Sequence, residues 1–131
     1  MSKSIIYAAN TTSQTILVNG TIDFGSIVRK YGNNLGISGG NIVANGVGYY
    51  SINSNFTLTA GADGTATITL YKDGSVIPGA TQSVSTTNGD VYNFEIPTVI
   101  RNKCCCDSSI SAILSGVAGI ITNATIVVEK E

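Results

Sequence analysis

The sequence predicts an all-β sandwich, and three observations carry that prediction. Between Val47 and Leu70, side chains alternate with a period of two: Tyr50, Ile52, Ser54, Phe56 and Leu58 share one face, and Ala66, Ile68 and Leu70 share another opposite Thr65, Thr67 and Thr69. Turn signals, among them Asn-Gly and Asp-Gly pairs that tolerate the positive φ angles that reverse a chain, separate the short strand-like runs. Helical spacing of apolar residues is met in one stretch, residues 108–118, and glycines and serines interrupt it. The 131 residues are expected to form one domain, since that length buries one core but not two independent ones.

In chain order, Ile5 to Ala9 reads as a first strand, and Asn10 to Ser13 as a polar break. Thr15 to Val18 and Thr21 to Phe24 flank Asn19-Gly20, a hairpin signal. Ile27 to Arg29 precedes a glycine-rich meander, Tyr31 to Gly40, expected to be a loop crossing between sheets. Asn41 to Ala44 is a short strand. The strands of the central pair are expected to face each other across the turn Ala60 to Gly64.

Asp73-Gly74 marks a second turn, and Pro78-Gly79 a further bend, because proline cannot donate to a central ladder. Ala80 to Thr86 is polar, as suits a sheet edge. Asn88-Gly89 turns into Asp90 to Ile96, and Pro97 is expected to open the next strand, Thr98 to Cys106. Ile110 to Leu114 and Ala124 to Glu129 close the count. Residues 108–118 also place Ile110, Ile113, Leu114 and Val117 at helical spacing, but Gly116, Gly119 and four serines are weak helix formers, and the segment is read as strand. About eight to ten antiparallel strands follow.

Composition limits function. Ser, Thr, Asn and Gly supply 56 residues while charged residues are 11%, so a surface of hydroxyls, amides and glycines is expected to meet other protein. A net charge of −1 with scattered cations offers no footprint for nucleic acid. Ile5 to Ala9 is too short for a signal-peptide core, and no apolar run approaches the roughly 20 residues that span a bilayer, so neither export by a cleaved signal nor membrane insertion is expected.

Candidate chemistry is sparse. Without histidine, no Ser-His-Asp or Cys-His nucleophile can be built, so an enzyme is not expected, and no cofactor is called for. Asp63 and Asp73 precede glycine in turns, where a carboxylate caps backbone groups more readily than it serves acid-base chemistry. Cys104, Cys105 and Cys106 admit three readings: small core hydrophobes, which are favoured, intersubunit disulfides, or a metal site gathered from three copies about a threefold axis. Tyr31, Tyr49 and Tyr71 are candidates to stack on sugars, although edge packing is the commoner use. The sequons at Asn10, Asn19, Asn55 and Asn123 are what so much Asn and Thr yields by chance.

Gly48-Tyr49-Tyr50-Ser51-Ile52 leading into Asn55-Phe56-Thr57-Leu58 resembles the inner-sheet strand of C1q/TNF-like jelly rolls. Leu70 to Ala80, with its Asp-Gly and Ile-Pro-Gly, resembles a hairpin of bacterial and phage members, and Asn123 to Lys130 resembles their closing strand. These motifs cover residues 41–131, with residues 1–40 supplying N-terminal strands and the glycine-rich loop. The resemblance implies a jelly-roll homotrimer whose inner sheets pack around a threefold axis, with Tyr50 and Val127 as interface candidates. It further implies a structural or display role: a phage virion component such as a capsid decoration or head fibre, assembled in host cytoplasm and contacting host-surface glycans. The alternative is a bacterial spore- or cell-surface binding module attached to a surface-layer protein. The absence of a Gly-X-Y tract departs from the stalked collagen-like group and favours the virion role.

Overall fold

The computed structural model describes residues 4–103 and 107–130. They form twelve strands in two antiparallel sheets, with no helix among the described residues. The strands are β1 (Ser4–Asn10), β2 (Gln14–Ile16), β3 (Gly20–Ile22), β4 (Ser26–Tyr31), β5 (Leu35–Ser38), β6 (Asn41–Ala44), β7 (Gly48–Ala60), β8 (Gly64–Lys72), β9 (Ser75–Thr86), β10 (Val91–Asn102), β11 (Ser108–Ser115) and β12 (Gly119–Lys130). The first sheet runs β10-β7-β12-β1-β4, with β2 added beside β12; the second runs β5-β6-β11-β8-β9, with β3 added beside β11. This two-sheet arrangement is a jelly-roll sandwich.

Period-two alternation decides which side of each sheet is dry. Tyr50, Ile52, Phe56 and Leu58 of β7 meet Ala66, Ile68 and Leu70 of β8 in one core, together with Ile110, Ala112 and Leu114 of β11 and Ile121, Ala124, Ile126 and Val128 of β12. Phe24 and Phe56 pack with ring centroids 5.7 Å apart and planes tilted by 45°, a favourable aromatic geometry. Ser54 interrupts the apolar face of β7, but its hydroxyl donates to the Ile96 carbonyl at 2.9 Å, so the buried polar atom is satisfied.

The turns separate into two kinds. Asp73 and Gly74, both with positive φ, form a hairpin that pairs Lys72 with Ser75, and the Asp73 carboxylate accepts a hydrogen bond from the Ser109 backbone NH at 2.8 Å. The Asn19-Gly20 turn, by contrast, joins strands of opposite sheets: β2 pairs with β12 and β3 with β11. Strands of three residues gain more from a long neighbour than from each other, and this lets Ile16 and Ile22 enter the core from both sides. The Gln14 side chain steadies the crossing by donating to the Asp23 carbonyl and accepting from the Asp23 NH. The turn from Ala60 to Gly64 likewise passes between sheets, so β7 and β8 face each other across the core without sharing a ladder.

Three further details differ from the sequence expectation. The meander from Tyr31 to Gly40 contains a strand, β5, because Leu35 reaches the core and residues 35–38 pair with β6. The bend at Pro78-Gly79 is an irregularity within β9, where the register with β8 shifts between Thr69 and Tyr71. Finally, β10 runs unbroken through Pro97. As the last strand of its sheet it is the kind of position where a missing backbone NH is tolerated.

Glycine positions give the first test. Gly116 has φ +89, and a Cβ there would overlap the Thr65 carbonyl oxygen. Gly36, in β5, has nothing within 4 Å of its would-be Cβ. Gly116→Ala is expected to destabilise by more than about 1 kcal/mol, whereas Gly36→Ala should be neutral or stabilising by up to about 1 kcal/mol in urea denaturation.

Candidate functional site

The outward face of the first sheet is the part of this surface that the core does not explain. Residues opposite one another in the ladders form rows across it. One row is Pro97, Asn53, Val127, Tyr7 and Arg29; the next is Val99, Ser51, Glu129, Ile5 and Tyr31. Toward the other end lie Val91, Thr59, Ile120 and Thr15. On the two central strands, the outward positions of β7 are Tyr49, Ser51, Asn53, Asn55, Thr57 and Thr59, and those of β12 include Asn123, Thr125 and Val127. Among the outward positions of these two strands the one charged residue is Glu129, next after Val127 on β12.

Relief on this face is uneven. Ser51, Asn53, Pro97, Val99, Val127 and Glu129 line a groove of about 500 Å³ on the β10 side. On the opposite side β4 overhangs the edge, with every residue from Ser26 to Tyr31 exposed and Tyr31 at 68%. The outer face of the second sheet differs in kind. There hydroxyls pair with each other, Thr67 with Ser83 at 2.7 Å and Thr69 with Thr81 at 2.9 Å, which satisfies those polar atoms within the protomer.

The two interface candidates from the sequence are separated by the structure. Val127 lies on the outward face, half-buried, beside the groove. Tyr50 points the other way and is fully buried, because β7 turns its even-numbered residues toward the core. Its outward neighbour Tyr49 is exposed and packs its ring under the Arg101 guanidinium, 5.6 Å from the centroid. Among the tyrosines considered for sugar stacking, Tyr31 and Tyr49 are exposed and Tyr71 is half-buried. Cys104, Cys105 and Cys106 lie outside the described residues. Asp63 and Asp73 cap backbone NH groups of Asn88 and Ser109. Among the described residues no group of three or more His, Cys, Asp or Glu is placed to hold a metal ion.

Tyr50 belongs to a polar network at one end of the sandwich. Its hydroxyl lies 2.9 Å from both the Asn45 and Gly46 carbonyls. Asn34 donates to the Asn45 carbonyl and accepts from Ser4, while Asn102 donates to the Gly46 carbonyl and accepts from Ser108. The network fastens the β6–β7 turn to β1, β10 and β11. Burial pushes the Tyr50 phenol above its ordinary value of 10.0.

Glu129, Arg29, Pro97 and Val99 were not among the site candidates read from the sequence. The readable signal was the alternation of Tyr92, Phe94, Ile96, Thr98 and Ile100, which continues past Pro97 and would have kept β10 whole.

No protein-family model matches this sequence, and no curated protein matches it. Similar solved structures share the fold at low identity. Murine APRIL superposes with a TM-score of 0.76 at 12% identity over 99% of this chain and 100% of that one. The globular domain of zebrafish complement 1qA protein gives 0.68 at 8%, covering 95% and 94%. PRD1 vertex protein P5 gives 0.65 at 12%, covering 97% and 96%. The fold is therefore a C1q/TNF-like jelly roll.

The buried phenol generates a test. Tyr50→Phe is expected to cost about 1 kcal/mol at neutral pH, since the Asn45 and Gly46 carbonyls keep their amide donors. A phenol with a folded-state value above 10.0 stabilises fully below that pH and loses its contribution as pH rises through the folded value. The wild type should accordingly lose stability more steeply than Tyr50→Phe above pH 10.0, as followed by urea midpoints across that range.

Proposed function

We propose that this protein is a non-enzymatic structural and display module that assembles as a homotrimer through the outward face of its first sheet. The observation that carries the reading is the near-absence of charge on the central strands of that face, on a sheet whose other side already fills the core. A face of amides, hydroxyls and valine costs little to remove from water when it meets a matching surface, and its apolar part gains from burial. The second sheet, with hydroxyls already paired to each other, is the side left facing outward.

Within that reading, a virion component such as a capsid decoration or head fibre is the role best supported. The end-to-end likeness to a vertex protein supports it, as does a surface poor in charge. Glycan contact, with Tyr31 and Tyr49 exposed, belongs to the same proposal. Attachment to a bacterial spore or cell surface is the outcome that would replace the virion role.

Light scattering should return three times 13.5 kDa, little changed between low and high salt, because screening weakens exposed charge pairs and leaves apolar burial intact. A mass of one chain in both conditions overturns the trimer. Immunogold labelling of purified particles with antibody to this chain should decorate virions. Label on spores or cell envelopes instead overturns the virion role.

A further inference from the structure

We propose that the groove on the β10 side of the first sheet is the docking site for the β4 edge of a second copy of this chain, with Glu129 of the groove paired to Arg29 and the Tyr31 ring seated beside it. This rests on the assembly proposed above and assigns its contacts.

In a closed cyclic assembly with this face turned inward, the β10 half of one protomer meets the β4 half of the next. The contact is heterologous, so the two halves must be complementary to each other and neither to itself. When the axis runs along the strands, rotation leaves every residue at its own height. Contacts then join residues in the same or adjacent rows.

The groove and the β4 residues meet that condition. Val99, Ser51 and Glu129 share a row with Ile5 and Tyr31, and Pro97, Asn53 and Val127 share the next with Tyr7 and Arg29. The hollow therefore sits at the height of the projection. Shape agrees, since the groove holds about 500 Å³ and Tyr31 stands 68% exposed on β4, the last strand of its sheet among the described residues.

Charge agrees as well. Glu129 is the one charged residue lining the groove, and Arg29 lies on the outward face of β4. Among the described residues neither has an ion-pair partner within its own protomer. A single opposed pair set into a neutral face fixes orientation and register more than it adds affinity, because a carboxylate left without its guanidinium in a closed interface is costly. The exposed backbone of β4, an otherwise open sheet edge with Ile27 and Val28 in view, would be covered by the same contact.

The experiment is a charge swap read by light scattering over a dilution series, with circular dichroism confirming the fold of each variant. The wild type should be multimeric. Glu129→Arg and Arg29→Glu should each raise the concentration for half-dissociation at least tenfold, and the double variant should return it to within about threefold of wild type. Tyr31→Ala, at a position exposed in the protomer, should also weaken assembly without changing the monomer's fold. If the wild type is multimeric and both single reversals assemble unchanged, the docking assignment is wrong while the assembly stands. Loss in both singles with no recovery in the double places the residues at an interface but not against each other, and overturns the pairing. A monomeric wild type removes the assembly itself.

Discussion

The structure depends on one constraint: in the long central strands β7 and β12, successive side chains must serve two different environments. One side fills the core with Tyr50, Ile52, Phe56, Leu58, Ile126 and Val128. The other carries Ser51, Asn53, Asn55, Thr125 and Val127. A shift of one residue in either strand would exchange the two sets and leave both surfaces wrong. The register is held by ladders on both sides of β7, and by the long pairing of β12 with β7 and β1. Every property of the candidate site follows, because the chemistry of the outward face is whatever the core did not take.

The polar network at the Tyr50 end shows how that register is locked. Tyr50 fills core volume like phenylalanine, yet its hydroxyl also reaches two backbone carbonyls of the β6–β7 turn. Asn34, from the loop before β5, and Asn102, from β10, reach the same turn. Asn102 is buried, and an amide whose partners are fixed backbone groups tolerates little displacement, so these contacts set where β7 begins. The position of Ser51, Asn53 and the groove they line is in that sense decided by residues on the other side of the sheet.

Much of this was legible in the sequence. Alternation in β7 and β8, the Asp73-Gly74 hairpin and the polar edge strand β9 could be read directly, since they depend on neighbours close in the chain, whereas the jelly-roll class was legible only through the resemblance of the motifs at residues 48–58, 70–80 and 123–130. What could not be read depends on distant partners. Asn19-Gly20 carries every local mark of a hairpin, yet β2 and β3 separate because β12 and β11 offer longer ladders. Pro97 looks like a strand boundary until β10 is known to be the last strand of its sheet. Tyr50 was an interface candidate only through the family resemblance, although alternation already put it on one face with Ile52, Phe56 and Leu58, and that face is the one that fills the core.

The composition acquires a physical reason from the same geometry. A sheet with water on one side ordinarily carries charge there, which keeps the chain soluble and discourages edge pairing. Here the central strands of the first sheet give up that protection, while Arg29, Lys30, Glu95 and Arg101 stand on its two edge strands, β4 and β10. Charge at the margin and neutrality in the middle is the distribution expected of a surface that closes against copies of itself. Edge charges steer and orient an approach, while an uncharged centre does not oppose desolvation. Glu129 is the exception inside that neutral field. In the assembly proposed above, a lone carboxylate there needs something cationic to meet it on closure, which is why its height on the sheet relative to Arg29 matters more than its affinity for any ion in solution.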